Sequence, residues 1–179
     1  MEQLDRCIRA GKARFRGISS HDPDVLLAAI DTGLCDVVMF AVGPFVDARY
    51  VDRVLPLARR KGVGTVCFKT FGAGKLLGDT AGYGRPLKIG PQGESGSGEK
   101  GHNRPLLPCL QVQECVHYTL TCDPDVALLG MSSPAEVDAA VAAAAGFRPL
   151  DTAAMEDIRA RAAVAIEGKG DAHWWNPPA

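Results

Sequence analysis

The sequence predicts an α/β fold built on a parallel sheet, and three observations predict it. Four short apolar runs rich in β-branched residues each lead into a stretch with helical periodicity. Cap and stop signals fall between them, and strands alternating with helices imply parallel pairing. At 179 residues the chain is long enough for one well-buried core, so residues 1–179 read as a single domain.

The elements follow in order. Leu4 to Ala10 reads as a helix end, closed by Gly11 and Lys12. Arg14 to Ser20 forms a first strand, and Asp22-Pro23 supplies the cap and first residue of a helix ending at Gly33. That helix is expected to bury Val25, Leu26, Ala29 and Ile30. Cys35 to Phe40 is a second strand, ending near Gly43-Pro44. The next helix sets Val51, Val54, Leu55 and Ala58 on one face with Arg53, Arg59 and Arg60 outward, and it stops at Lys61-Gly62.

The stretch from Val63 to Leu77 organises the rest. A buried strand (Val63, Val66, Cys67, Phe68) meets Lys69 and Thr70 and then a Gly-Ala-Gly loop. Parallel α/β folds place ligands at the carboxyl ends of their strands, and the glycines permit a tight turn or close approach. An ordinary strand-to-loop turn gives the same residues.

Residues 78–108 are rich in glycine, proline and serine and read as a long mobile loop. Val112, Cys115, Val116, Thr119 and Leu120 share a helical face. Val126 to Leu129 is a fourth strand, ending in Gly130-Met131. Ser133-Pro134-Ala135-Glu136 has the form of a capping box, opening an alanine-rich helix to Ala145 with Val137 and Val141 expected inward. A last helix, about Met155 to Ile166, leads to a tail in which Trp174-Trp175 is expected to anchor the chain end. Four βα units amount to half of a (β/α)8 TIM barrel; an open doubly wound sheet has the same spacing.

A net charge of −1 gives no pointer to nucleic acid or an anionic membrane surface. No apolar run approaches the length of a membrane span, and the residues after Met1 are not signal-like, so the expected compartment is the cytoplasm. The six cysteines contain no Cys-x-x-Cys pair and read as free thiols. Cys109, Cys115, Cys122 and His117 match no zinc or iron–sulfur spacing, so no metal site is assigned.

Read together, the strand ends carry a resemblance. Gly11-Lys12-Ala13-Arg14-Phe15-Arg16-Gly17-Ile18-Ser19-Ser20-His21, Asp36-Val37-Val38-Met39, Phe68-Lys69-Thr70-Phe71-Gly72-Ala73-Gly74 and Leu129-Gly130-Met131-Ser132-Ser133-Pro134 resemble, in order, strands five to eight of the aldo/keto reductases. These are NAD(P)H-dependent (β/α)8 barrels that reduce small carbonyl compounds. The resemblance implies a cofactor, NADP or NAD, held by residues of this chain. Ser19 and Ser20 would pair with the nicotinamide carboxamide. Phe68 would stack on the nicotinamide ring. Lys69, Phe71, Gly72 and Gly74 would line the pyrophosphate path, and Gly130, Met131, Ser132 and Ser133 would approach the adenosine end, with the helix amino terminus near a phosphate.

Three positions depart from the pattern. Met39 stands where many members have glutamine, and Met131 and Glu136 stand where many NADP-specific members have lysine and arginine for the 2′-phosphate. The family's Asp, Tyr, Lys and His tetrad comes from the first half of the barrel, and Tyr50, Tyr83 and Tyr118 stand at no matching motif. No catalytic residue is therefore assigned. The expectation is a reductase half-barrel lacking its N-terminal half and inactive alone. From a different class, the alternative is an inactive half-barrel serving as a binding module or self-associating through unpaired strand edges.

Overall fold

The structure, a computed structural model, describes residues 2–78 and 109–167. The expected loop beyond Gly78 and the Trp174-Trp175 tail lie outside the described residues. Helix α1 (Glu2–Arg9) precedes β1 (Gly17–Ser19), α2 (Pro23–Asp31), β2 (Val37–Ala41), α3 (Leu55–Lys61) and β3 (Gly64–Phe68). Helix α4 (Val112–Thr121), β4 (Val126–Ala127), α5 (Pro134–Ala145) and α6 (Thr152–Ile166) complete it.

All strand pairs are parallel, and the sheet order is the chain order, β1-β2-β3-β4. This order separates the two architectures that spacing left open. A doubly wound sheet reverses its order midway, whereas a barrel adds each strand beside the last. Right-handed crossovers then place the connecting helices α2, α3 and α4 on one face. Strand alternation agrees: Val38, Phe40 and Cys67 are fully buried under Leu26, Ile30, Val54 and Ala58. On the other face the register sets Ser19, Met39, Val66 and Val126 side by side, with Ala41 and Phe68 paired above them.

Local chemistry accounts for the boundaries. Asp22 caps α2, its Oδ1 accepting from the Asp24 N–H at 2.9 Å, with Pro23 at the first position. Before α3 the chain makes a π-helical turn at Tyr50–Val54, ahead of Pro56, which has no N–H to continue a regular ladder. The sheet is stapled at its amino end. Asp36 Oδ2 accepts from Arg16 N at 2.8 Å and Nε at 3.1 Å, joining β1 to β2. Asp125 Oδ2 accepts from both Thr65 N and Thr65 Oγ1 at 2.8 Å, joining β4 to β3.

These staples give a pH dependence. Hydrogen bonds from Arg16 hold the Asp36 carboxyl below its usual range, and those from Thr65 do the same for Asp125. A depressed carboxylate contributes stability that is complete above the unfolded pKa and lost as pH falls through the folded one. Unfolding by urea should therefore become easier as pH drops below about 4, and Asp125→Asn should flatten that trend.

Several expectations need correction. Val25 is exposed, as α2 buries Leu26 and Ile30 instead. On α5, Val137 and Val141 face outward at 42% and 63% exposure, and Glu136, Ala140 and Ala143 are the buried residues. The small alanines let α5 lie close against α4, so the valines are turned away. The capping box is displaced: Ser133 Oγ accepts from Glu136 N, but Glu136 Oε2 accepts from Ser132 N, one residue before the cap. The fourth strand is two residues long, because Leu128 and Leu129 leave the ladder after the Leu128 N–H to Cys67 carbonyl bond.

Candidate functional site

The carboxyl ends of β1, β2 and β3 converge on one rim. From β1 come Ser19, exposed on the open face, then Ser20 and His21. Ser20 is engaged in the turn: its N–H donates to the Met39 carbonyl at 3.2 Å and its Oγ accepts from Asp22 N at 3.0 Å. Its hydroxyl proton stays with the side chain for a further acceptor.

From β3 come Phe68, Lys69 and Thr70. Phe68 is half-buried, and the His21 ring meets it edge-on, with centroids 5.5 Å apart and planes at 88°. Burial and then the neighbouring Lys69 push the His21 imidazole below its ordinary pKa, which keeps it neutral near pH 7. Thr70 is buried, and its Oγ1 has no hydrogen-bond partner among the described residues.

The backbone after β3 is unusual. Lys69 has φ +72°, and Gly72, Ala73 and Gly74 follow at +56°, +57° and +86°. Two of these four carry side chains, and such left-handed residues cost about 1 kcal/mol or more each unless their surroundings impose them. The loop after β2 packs directly on the start of this segment. A Cβ on Gly43 would lie 2.7 Å from the Lys69 carbonyl oxygen and 3.1 Å from Thr70 Cα. The loop after β2 thus presses backbone to backbone on the loop after β3, and only glycine permits it.

The remaining predicted residues divide. Phe71 is buried in a second core with Leu76, Val116, Ile158 and Ile166. Gly72 and Gly74 are buried in the 3-10 turn that follows, where a Cβ on Gly72 would meet Leu76 Cγ at 3.0 Å. Gly130, Met131 and Ser132 are exposed and Ser133 half-buried, leading into the amino end of α5. Glu136 is 4% exposed, and its Oε1 has no partner among the described residues.

Sequence reasoning passed over His21, Gly43 and the charged group Asp24–Arg49–Asp47, in which Arg49 Nη2 meets Asp47 at 2.6 Å and Nη1 meets Asp24 at 3.2 Å. His21 was visible as the residue after Ser19-Ser20. The contact that sets Gly43 apart spans β2 and β3, so no local signal reveals it. Neither described tyrosine is open to the rim. Tyr50 is fully buried and stacked on Phe40, and Tyr118 lies in the second core, its phenol pushed up by burial to about 12. A cleft of about 510 Å³, lined in part by Phe15, Asp36, Lys61 and Val63, opens at the opposite end of the strands. In barrels that end serves stability rather than chemistry.

A parallel sheet wound in one direction, with helices on one face and a rim at the strand carboxyl ends, defines a segment of a (β/α)8 barrel. Comparison with solved structures agrees. The chain is similar to the aldo-keto reductase AKR11C1 from Bacillus halodurans in its apo and holo forms, each at a TM-score of 0.60 and 23% identity. The match covers 94% of this chain but only 59% and 58% of those chains. At that identity the likeness establishes the fold. No model of a protein family matches the chain, and no curated protein matches it. No helix among the described residues is long and apolar enough to cross a membrane.

Proposed function

We propose that this chain is the cofactor-binding portion of a cytoplasmic aldo/keto-reductase-type barrel and takes a nicotinamide dinucleotide, NAD or NADP, at the rim formed by β1, β3 and β4. The observation that carries the reading is the order of the rim. Hydroxyls at β1, an aromatic followed by a cation at β3 and a helix amino terminus after β4 lie in the sequence in which a barrel of this fold presents them.

The residues suit the group. Phe68 offers a half-buried aromatic surface and Ser19 an exposed hydroxyl, while Lys69 supplies positive charge and the amino end of α5 follows Ser133. Bound there, the dihydronicotinamide would supply hydride to a small carbonyl substrate. The alkoxide that develops needs a proton donor. Tyr50 and Tyr118 are buried, and no residue of this chain is assigned that step. Binding without turnover is therefore the activity proposed for the chain by itself. Glu136 offers no positive charge to a 2′-phosphate, and its Oε2 is engaged by the Ser132 N–H, so nothing at this position favours NADP over NAD.

Equilibrium titration of the purified chain with NADH and NADPH, followed by nucleotide fluorescence, is the test. Saturable binding that Phe68→Ala weakens supports the reading; no binding of either overturns it. Carbonyl-dependent oxidation by this chain alone would contradict the absence of an acid.

A second reading rests on the open face of the sheet. Val126 and Leu128 are 45% and 46% exposed, and β1 and β4 each lack a strand neighbour on one side in the described sheet. A second copy of the chain could cover that face. Sedimentation should then give a monodisperse dimer that melts cooperatively, and a monomer would exclude it.

A further inference from the structure

We propose that the cleft at the amino ends of β2 and β3 is a binding site for a small uncharged aromatic compound, separate from the rim. The inference does not rest on the dinucleotide reading.

The cleft follows from how two helices end. Helices α2 and α3 each stop at a left-handed glycine, Gly33 and Gly62, both at φ +66°, and the chain then turns within a few residues into the next strand. Nothing lies within 4 Å of the position a Cβ would take at either glycine. Between these two loops and Phe15, ahead of β1, lies an open space of about 510 Å³, a volume ordinary for a small-molecule pocket.

The walls suit a ring. Buried Ile30, Cys35 and Val63 and half-buried Val37 supply apolar surface, and Phe15 stands with them at 64% exposure. A single exposed phenylalanine is ordinary on a protein surface. Phe15 differs in forming one side of an apolar space large enough for a second ring, which would remove apolar surface of both from water.

Charge decides the class of ligand. The charged residues lining the cleft are Asp31, Asp36 and Lys61. Asp36 accepts from Arg16 Nε at 3.1 Å, and Asp31 pairs with Lys61 at 3.6 Å. The Arg14 guanidinium lies over the Phe15 ring, 5.6 Å from its centroid. Burial pushes the Cys35 thiol up, which keeps it uncharged. Each carboxylate of the lining thus has its cation, and a carboxylate or ammonium entering with a ligand would lose water without meeting an unmatched opposite charge in that lining. An uncharged ring avoids that cost and keeps the contact with Phe15. At the amino ends of barrel strands the residues serve stability rather than chemistry, so occupancy here is binding without turnover and leaves the rim free.

The test titrates the full chain with benzyl alcohol, benzoate and benzylamine, which carry one ring with no charge, a negative charge and a positive charge near pH 7. Amide resonances are followed by NMR. Benzyl alcohol should give saturable shifts at residues 30–37 and 61–64 and none at residues 68–74. Both charged probes should bind about tenfold more weakly. Phe15→Ala, with an unchanged melt because the side chain is exposed, should weaken benzyl alcohol by about tenfold. Saturating NAD should leave the affinity for benzyl alcohol as it was. No saturable shift at the cleft, or equal affinity in Phe15→Ala, overturns the site. Benzoate binding as tightly as the alcohol would give the cleft to anions through Arg14, and benzylamine doing so would give it to cations; either overturns the uncharged class. Loss of benzyl alcohol binding in the presence of NAD overturns the separation of cleft from rim, whereas failure of NAD to bind at all removes the dinucleotide reading and leaves this site standing.

Discussion

Gly43→Ala destabilises the fold by about 1–3 kcal/mol and disorders the rim, although it adds one methyl group. The added Cβ would fall 2.7 Å from the Lys69 carbonyl oxygen, and the atoms it meets are backbone, which no rotamer change can move. Either β2 or β3 must shift where Val42 N–H donates to the Phe68 carbonyl at 2.8 Å. Urea unfolding of the variant beside the parent measures the loss. A variant as stable as the parent, with unchanged ligand binding, would show that the Gly43 contact constrains neither fold nor site. Gly62→Ala is a useful contrast. Nothing lies within 4 Å of its Cβ, so its cost comes from φ +66° alone.

The second large effect is at Lys69. Replacing it by methionine keeps the length of the side chain and removes the charge. A charge-assisted hydrogen bond to phosphate contributes about 1.5–3 kcal/mol, so dinucleotide affinity should fall by about tenfold to a hundredfold. Stability should change little, since the positive φ belongs to the backbone whichever side chain is present. Equal affinity in parent and Lys69→Met would place the pyrophosphate elsewhere. Loss of folding would show that Lys69 serves the core instead.

Much of this fold was legible in the chain, for local reasons. Asp22-Pro23, Gly62 and Ser133-Pro134 mark boundaries because caps and stops depend on the nearest few residues. The sheet order was not, since βα spacing is common to barrels and open sheets and only strand neighbours distinguish them. Val137 and Val141, the largest apolar side chains of α5, are expected inward but lie exposed. Close packing of α5 on α4 uses Ala140 and Ala143 and leaves the larger valines outside. The rim was partly readable. Ser19, Phe68 and Lys69 stand at strand ends that the apolar runs define, whereas the contact of His21 with Phe68 and of Gly43 with Lys69 crosses between strands far apart in sequence.

Hydrogen–deuterium exchange of the full chain with and without NAD tests most directly that ligand chemistry belongs to the carboxyl ends of the strands. Protection on binding should concentrate on residues 19–22, 68–74 and 130–133 and leave the opposite cleft at Asp36, Lys61 and Val63 unchanged. Protection at that cleft, with no change at Lys69 or Ser133, would contradict the assignment of the rim as the binding site.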